Sequence, residues 1–320
     1  MELSIIIVNW NSLAYLRVCL TSVYQQVHGL SFEVIVVDNA SPEGGMDSLR
    51  SEFPDMVLIK SDVNLGFAGA NNLGFKRSTG KYVLFLNPDT EIVDDAIQVM
   101  LEQSRLRPDA GIVGCKLLNT DRSVQLQSIQ KFPTILTSVL DAEYLLLRWP
   151  HCPLWDIQPL FQGNVKVIKV EVIPGACMLL KRDVFEKVGM LSEDYFMYAE
   201  DLDLNYKLKR AKYNNYYVGQ SAIVHHGGRS SAQQKVSQWA IIMRHQAMLE
   251  YYRKTRGLVY KSMYRAAIGC AAAVRLMILI LMFPLGNIVW ERKSLKASTA
   301  KWKAVLNWAL GRQDVALGNR

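Results

Sequence analysis

Residues 3–11 read LSIIIVNWN. The aliphatic run Leu3–Val8 shows no apolar–polar alternation, so it reads as a strand buried on both faces, as in a parallel sheet covered by helices. It stops at Asn9 and Asn11, residues that favour turns. The same pattern recurs outward. Strands are predicted at Phe32–Val37 (ending on Asp38), Met56–Lys60, Tyr82–Leu86 (ending on Asn87-Pro88-Asp89) and Gly111–Cys115. Between them lie helical spacings over Ser12–Gln26, with Leu13, Leu16, Leu20 and Val23 on one face, then Ala68–Ser78, then Asp94–Arg107 stopped by Pro108. Strand and helix alternate through residue 115, which predicts an α/β fold with a mostly parallel central sheet flanked by helices.

Ligands in such sheets bind beyond the carboxyl ends of the strands. Three of those ends carry Asn or Asp: Asn9 and Asn11, then Asp38, Asn39 and Ser41, then Asn87 and Asp89. Any one of these is an ordinary turn or cap residue, but together they describe a polar crevice. No GxGxxG follows the first strand, and there is no Walker A sequence, so a dinucleotide or P-loop site is excluded. A bound nucleotide would need its phosphates neutralised by a divalent cation, for which Asp89 is a hard oxygen ligand suited to Mg²⁺ or Mn²⁺.

Residues 116–165 are less regular, with an apolar stretch at Leu136–Trp149 followed by Pro150, Pro153 and Pro159. They read as an insertion that shapes a pocket or rests on a membrane. Regularity returns at Val165–Ile173, then Pro174-Gly175-Ala176-Cys177, a strand at Met178–Lys181 and a short helix at Asp183–Val188. A helix starts near Glu200, placing Glu200, Asp201 and Asp203 in its first turn. They would complement the helix dipole. They also offer a general base, provided burial or neighbouring acids offset the pKa-lowering effect of a helix N-terminus. Strands at Tyr213–Val218 and Ala222–Val224 lead into His225-His226-Gly227-Gly228-Arg229, where either histidine could ligate a metal. A helix is expected at Gln234–Arg253.

The 320-residue chain is 50% hydrophobic and 21% charged, a globular composition. Its five cysteines, Cys19, Cys115, Cys152, Cys177 and Cys270, are scattered and form no CxxC pair, which favours a reducing compartment. The +8 net charge sits in the tail: residues 251–320 hold 13 basic and 2 acidic groups, whereas the first 250 hold 24 and 27. Apolar runs at 266–274 and 276–290 lie between the basic clusters, which suits an anionic membrane surface better than nucleic acid. Arg275, Pro284 and Gly286 interrupt the apolar run. A segment lying in the interface or dipping in and returning is therefore favoured over a single span, with a buried helical hairpin as the soluble alternative. The N-terminus opens directly into a strand and reads as lacking a secretory signal.

These segments, in this order, resemble family 2 glycosyltransferases of the GT-A fold. The motifs are Ser4–Asn11, Val36–Ser41, Asn64–Asn72, Leu84–Asp89, Pro174-Gly175-Ala176, Glu200-Asp201-Leu202-Asp203 and His225 with its glycine loop. The resemblance covers residues 1–255, with a nucleotide-binding half (1–115) and an acceptor and catalytic half (116–255), and leaves 256–320 as a helical membrane-associating tail. It is closest to the rhamnosyltransferase-like enzymes of bacterial surface-polysaccharide synthesis. It implies an inverting, metal-dependent transfer from a dTDP-, UDP- or GDP-linked sugar to a lipid-linked glycan at the cytoplasmic membrane face. Val8, Asn9, Asn11, Asp38, Asn39, Asn64, Gly66, Asn71, Asn87 and Gly175 would contact the donor, with Asp38 on the pyrimidine N3–H and 64–72 a loop closing over the nucleotide. Asp89 and His225, with His226 as the alternative, would bind Mg²⁺ or Mn²⁺. Asp201 would be the base, with Glu200 beside it. Asn87-Pro88-Asp89 departs from a full DxD, leaving one carboxylate for the metal. A nucleotidyltransferase and a membrane-docked sugar-nucleotide binder without turnover are the alternatives.

Overall fold

The structure, a computed structural model, describes residues 1–140, 142–152, 155, 157–162, 166–227, 238–282 and 292–312. Four parallel strands form one half of the sheet: β1 (Leu3–Asn9), β2 (Phe32–Asn39), β3 (Val57–Ser61) and β4 (Tyr82–Leu86). Leu3, Ile5, Ile6 and Ile7 are fully buried, as a two-faced central strand requires. The other half contains β5 (Thr90–Ile92), β6 (Ala110–Leu118), β7 (Val167–Val170), β8 (Cys177–Lys181) and β9 (Asn214–His225). The order is β3-β2-β1-β4-β8-β6-β9-β5, with β7 also on β9, and β8 runs antiparallel between β4 and β6.

Helices α1 (Leu13–Gln26), α2 (Met46–Glu52), α3 (Gly66–Arg77) and α4 (Ala96–Arg105) connect the first strands. Beyond β6 come α5 (Ile135–Val139), α6 (Ala142–Arg148), α7 (Arg182–Lys187), α8 (Glu200–Arg210), α9 (Gln238–Met282) and α10 (Arg292–Ala309). One core cluster joins one sheet face to α1, α2 and α4; a second joins the other face to α3, α7 and α8. A third links Val172, Tyr195 and Leu202 to the C-terminal helices through Tyr251, Tyr252, Tyr264 and Trp308. Gly257 adopts φ 88, ψ 178 and bends α9 into two helical stretches.

Several expectations are corrected. The two strands expected after residue 213 are one strand, β9, with a register shift opposite Cys115/Lys116 that accommodates Gly219, Gln220 and Ser221. Helix α2 and strand β5 are additional. Their sequences are short and nearly patternless, and pairing with β9 creates β5. The expected closing loop at 64–72 is, from Gly66 onward, the start of α3, with Ala68–Asn72 buried. The insertion holds α5 and α6, and α5 packs on α9: Ile135 N–H donates to the Tyr260 hydroxyl at 3.3 Å. Val165, Arg229, Pro284 and Gly286, and the first residues of the helix expected at 234–253, lie outside the described residues.

Gly66 joins two parts of the fold. It has φ 70, and a Cβ placed on it would lie 2.4 Å from the Phe196 carbonyl oxygen. The neighbouring Phe67 N–H donates to that same oxygen at 3.3 Å. Gly66→Ala should therefore cost about 2–4 kcal/mol of unfolding free energy in denaturant titration. A loss below about 0.5 kcal/mol would show that the contact does not constrain α3.

Candidate active site

Strand pairing brings the polar strand ends together. Thr90 is opposite His225 in the β5–β9 pair, and the His226 N–H donates to the Asp89 carbonyl at 2.8 Å. That register sets His225 Nε2 3.4 Å from Asp89 Oδ1 and 3.4 Å from Asn87 Nδ2. Asp89 is only 4% exposed. Nδ1 of His225 lies 3.0 Å from Oε1 of Gln125, while Gln125 Nε2 donates to the His225 carbonyl at 2.5 Å. Because Oε1 can only accept, Nδ1 carries a proton, which in the neutral ring leaves the Nε2 lone pair facing Asp89. Two acceptors facing each other at this distance suit a shared cation. In His226 both ring nitrogens are engaged, Nε2 with Glu91 Oε1 at 2.6 Å and Nδ1 with Thr120 Oγ1 at 3.0 Å. Among the described residues no group of three or more His, Cys, Asp or Glu gathers as a metal cluster, so further ligands would come from other groups such as water or a bound diphosphate.

The neighbouring strand end holds the carboxylates. Asn87 N–H donates to the Ala176 carbonyl at 3.0 Å, tying the end of β4 to the turn before β8. One residue earlier, Gly175 N–H donates to Asp201 Oδ2 at 3.0 Å, and Leu202 N–H donates to Oδ1 at 2.8 Å. Burial raises the Asp201 pKa, opposed by those two N–H donors. Burial first, then the Asp201 charge, push Glu200 up to about 8. Glu200 is 6% exposed and accepts from Ala199 N–H at 2.9 Å. Asp201 is half-buried, so it is the member of the pair that a second substrate could touch. The third carboxylate, Asp203, is structural: it accepts from Ser192 Oγ at 2.5 Å and Tyr195 OH at 3.2 Å and pairs with Lys207 at 3.4 Å.

The polar residues after β1 and β2 divide by role. Asn9 is fully buried, donates to Ser41 Oγ at 3.0 Å and accepts from Ser12 Oγ at 2.9 Å. Asn39 donates to Asn64 Oδ1 at 2.9 Å and accepts from Leu65 N–H at 2.8 Å, and Asn64 Oδ1 also accepts from Gly66 N–H. Asn71 is buried and donates to the Phe67 carbonyl. The Asn9 and Asn39 amides hold loops in place, while Asn71 bonds back to the preceding turn of α3. Asp38 accepts only from Ser41 N–H, at 3.2 Å, and with Val8 and Asn11 remains partly exposed at the crevice. Asn11, Ala40 and Tyr198, in loops around the crevice, have φ 51, 60 and 93, left-handed values that non-glycine residues seldom adopt.

The family model for Glycosyl transferase family 2 matches residues 4–189. The chain belongs to that family. This family 2 glycosyltransferase is 27% identical over 218 residues to the N-acetylglucosaminyl-diphospho-decaprenol L-rhamnosyltransferase of Mycobacterium tuberculosis, covering 65% of this chain and 70% of the relative. It is 28% identical over 301 residues to the low-salt glycan biosynthesis hexosyltransferase Agl10 of Haloferax volcanii, covering 91% and 86%. Among solved structures it resembles the mannosyltransferase PcManGT of Pyrobaculum calidifontis, in complex with GDP-Man and Mn²⁺. The TM-score is 0.58 at 15% identity, over 97% of this chain and 86% of that one, a likeness of fold. The fold is GT-A, and family membership sets aside the nucleotidyltransferase and non-catalytic alternatives.

Gln125 was missed by sequence reading, because a glutamine 100 residues from its histidine, in an irregular insertion, carries no pattern. In this glycosyltransferase, Gln125→Leu should weaken Mn²⁺ binding by about 10- to 100-fold in calorimetry with nucleotide present, while the melting temperature changes little. Unchanged affinity would remove Gln125 from the site. Glu200 generates a pH prediction. Its folded pKa of about 8 lies above the ordinary 4.5, so its contribution to stability is complete below about 4.5 and lost as pH rises through about 8. Glu200→Gln should therefore gain melting temperature relative to wild type between about pH 5 and about pH 9. A constant difference across that range would contradict the raised pKa.

Proposed function

We propose that this glycosyltransferase is inverting and metal-dependent. In this reading it transfers a sugar, rhamnose first among the candidates, from a nucleotide diphosphate (dTDP, UDP or GDP) to a lipid-linked glycan at the cytoplasmic face of the cell membrane. The observation that carries the reading is the pairing of Asp89 and His225 Nε2 at 3.4 Å on one side of the Asn87–Ala176 hydrogen bond, with Asp201 on the other. The rhamnose and lipid-linked acceptor are supported by the name of the mycobacterial relative, and glycan synthesis by that of the haloarchaeal one.

Asp38 would accept the pyrimidine N3–H through the oxygen that Ser41 N–H leaves free. Asp89 and His225 would hold Mg²⁺ or Mn²⁺, which when bound neutralises charge gained by the leaving diphosphate. Gly175 would sit beside the sugar: its amide holds Asp201, and a Cβ there would come no closer than 3.4 Å to Phe67. Crowding from the protein itself therefore gives no reason for glycine, and a bound sugar would supply one.

Asp201 would take the acceptor hydroxyl proton as that oxygen attacks the anomeric carbon. The bond to the diphosphate breaks on the opposite face, its electron pair leaves with the diphosphate, and the configuration inverts. Glu200, pushed up to about 8, would hold a proton near neutrality, so no second buried charge would stand beside Asp201, while the Gly175 and Leu202 amides oppose the rise that burial gives Asp201.

Asp201→Asn should reduce transfer about a thousandfold while retaining the thermal shift given by donor and Mn²⁺. Loss of the donor-induced shift in that variant would move Asp201 from proton transfer to donor binding. Running the shift with UDP-, dTDP- and GDP-sugars on the wild-type chain identifies the donor class.

A further inference from the structure

The last part of α9 carries its polarity inside out. From Leu258 to Leu281, every exposed residue is apolar except Ser262. Val259, Met263, Cys270, Val274, Met277 and Leu281 recur at helical spacing, so the exposed side is one apolar stripe about 36 Å long. The arginines lie on the inner side. Arg265 donates to the Ala309 and Trp308 carbonyls at 3.1 and 2.9 Å. Arg275 donates to the Val139 carbonyl at 2.6 Å and sits 4.4 Å over the Trp302 ring. Tyr264, Ile268 and Ala272 are buried beneath. A helix packed on a protein and facing water has the reverse arrangement.

Arg275 also fixes how the helix lies. Val139 belongs to α5, so α9 runs alongside the globular body at this point. A bilayer crossing centred on 266–290 would have to remove that bond and bury Arg275 in hydrocarbon. By length and composition alone Gln238–Leu281 could cross a membrane; the Arg275–Val139 bond favours an in-plane arrangement over a crossing. The α5–α6 segment adds Leu136, Leu140, Leu147 and Trp149, all exposed.

We propose that this stripe, with the exposed residues of α5–α6, is a monotopic docking face for an anionic lipid bilayer, entered sideways without crossing. Charge selects this occupant over a second copy. Residues 251–320 carry +11, and Lys296 and Lys303 are exposed on α10, the helix that packs against α9. Two such tails repel each other, whereas anionic headgroups attract each one. The first 250 residues carry −3, which orients the body away from the surface. The proposal deepens the membrane location given above, but it does not depend on the donor, the metal or the acceptor.

Cys270 supplies a probe within the stripe: it is exposed, Cys152 is partly exposed and the other three cysteines are buried. The full chain with Cys152→Ser, labelled at Cys270 with a polarity-sensitive dye, is mixed with phosphatidylcholine vesicles with and without phosphatidylglycerol. Expected are co-sedimentation and a blue shift with the anionic vesicles, weakened by salt. Val274→Asp and Met277→Asp, both at exposed positions, should each weaken partitioning about tenfold. In both variants the circular dichroism and the donor-induced thermal shift should be unchanged. Lys296→Glu with Lys303→Glu should reduce the preference for anionic lipid. The proposal is overturned if the Asp variants bind vesicles as wild type does. It is equally overturned if the blue shift arises without lipid and tracks a concentration-dependent dimer in sedimentation velocity. Failure of vesicle binding alongside an intact donor shift would remove this face and leave the reaction untouched.

Discussion

The antiparallel placement of β8 between β4 and β6 is the constraint on which the candidate active site depends. β8 pairs with β4 so that Leu86 meets Cys177, and one step further Asn87 N–H reaches the Ala176 carbonyl. That single backbone bond sets the end of β4, which leads into Asp89, against the turn carrying Gly175. Gly175 in turn holds the side chain of Asp201. The turn itself is anchored from below: Asn205 donates to the Ile173 carbonyl and accepts from the Ile173 N–H, and Asn215 donates to Asn205. These two amides are 0% and 4% exposed, and a buried polar network with its partners in place fixes one conformation of the turn. Sheet pairing therefore supplies the positioning that catalysis requires, before any substrate arrives.

The two halves of the site solve opposite electrostatic problems. On the side of Asp89 and His225, two acceptors converge and invite a positive charge, and Gln125 orients the ring so that its lone pair faces inward. On the side of Glu200 and Asp201, two acids adjoin at a helix N-terminus, where the dipole alone would lower both pKa values. Burial overrides the dipole at both residues. The result is a glutamate pushed up to about 8 beside an aspartate whose burial-raised pKa is held back by the Gly175 and Leu202 amides, a pair suited to proton transfer.

The C-terminal helices extend this organisation to the solvent boundary. Tyr251, Tyr252, Tyr264 and Trp308 join them to Tyr195 and Leu202, next to the helix bearing Asp201. A surface holding the apolar stripe of α9 would thus be coupled by rigid packing to the catalytic strand ends, which suits a chain whose acceptor is read as lipid-linked. Lys254, paired with Asp194, adds a link between α9 and the segment just before α8.

The parallel half of the sheet was legible from the sequence because two-faced burial forces unbroken aliphatic runs, as in Leu3–Val8 and Tyr82–Leu86, and because polar residues must collect where those runs end. The start of α8 was legible from its acids, and the basic tail from its charge. Other features needed the tertiary structure. Residues 214–225 form one bulged strand because β6 pairs with it on both sides of the bulge. Asn9 and Asn39 lock loops, and Asn71 bonds within its own helix, although the sequence alone marks them as equal to Asp38. The sequence could not choose between His225 and His226, since hydrogen bonding from Gln125, Glu91 and Thr120 sets their roles and each partner is distant in the chain. Arg275 reads as an interruption of an apolar run, and its bond to Val139, with those of Arg265 to Trp308 and Ala309, shows which way the helix faces. The sequence by itself determined which segments become strands and helices and where charge accumulates, because these follow from local pattern and composition. The tertiary structure decided which polar groups are already satisfied and which remain free for chemistry, because hydrogen-bond partners are chosen by proximity in the fold.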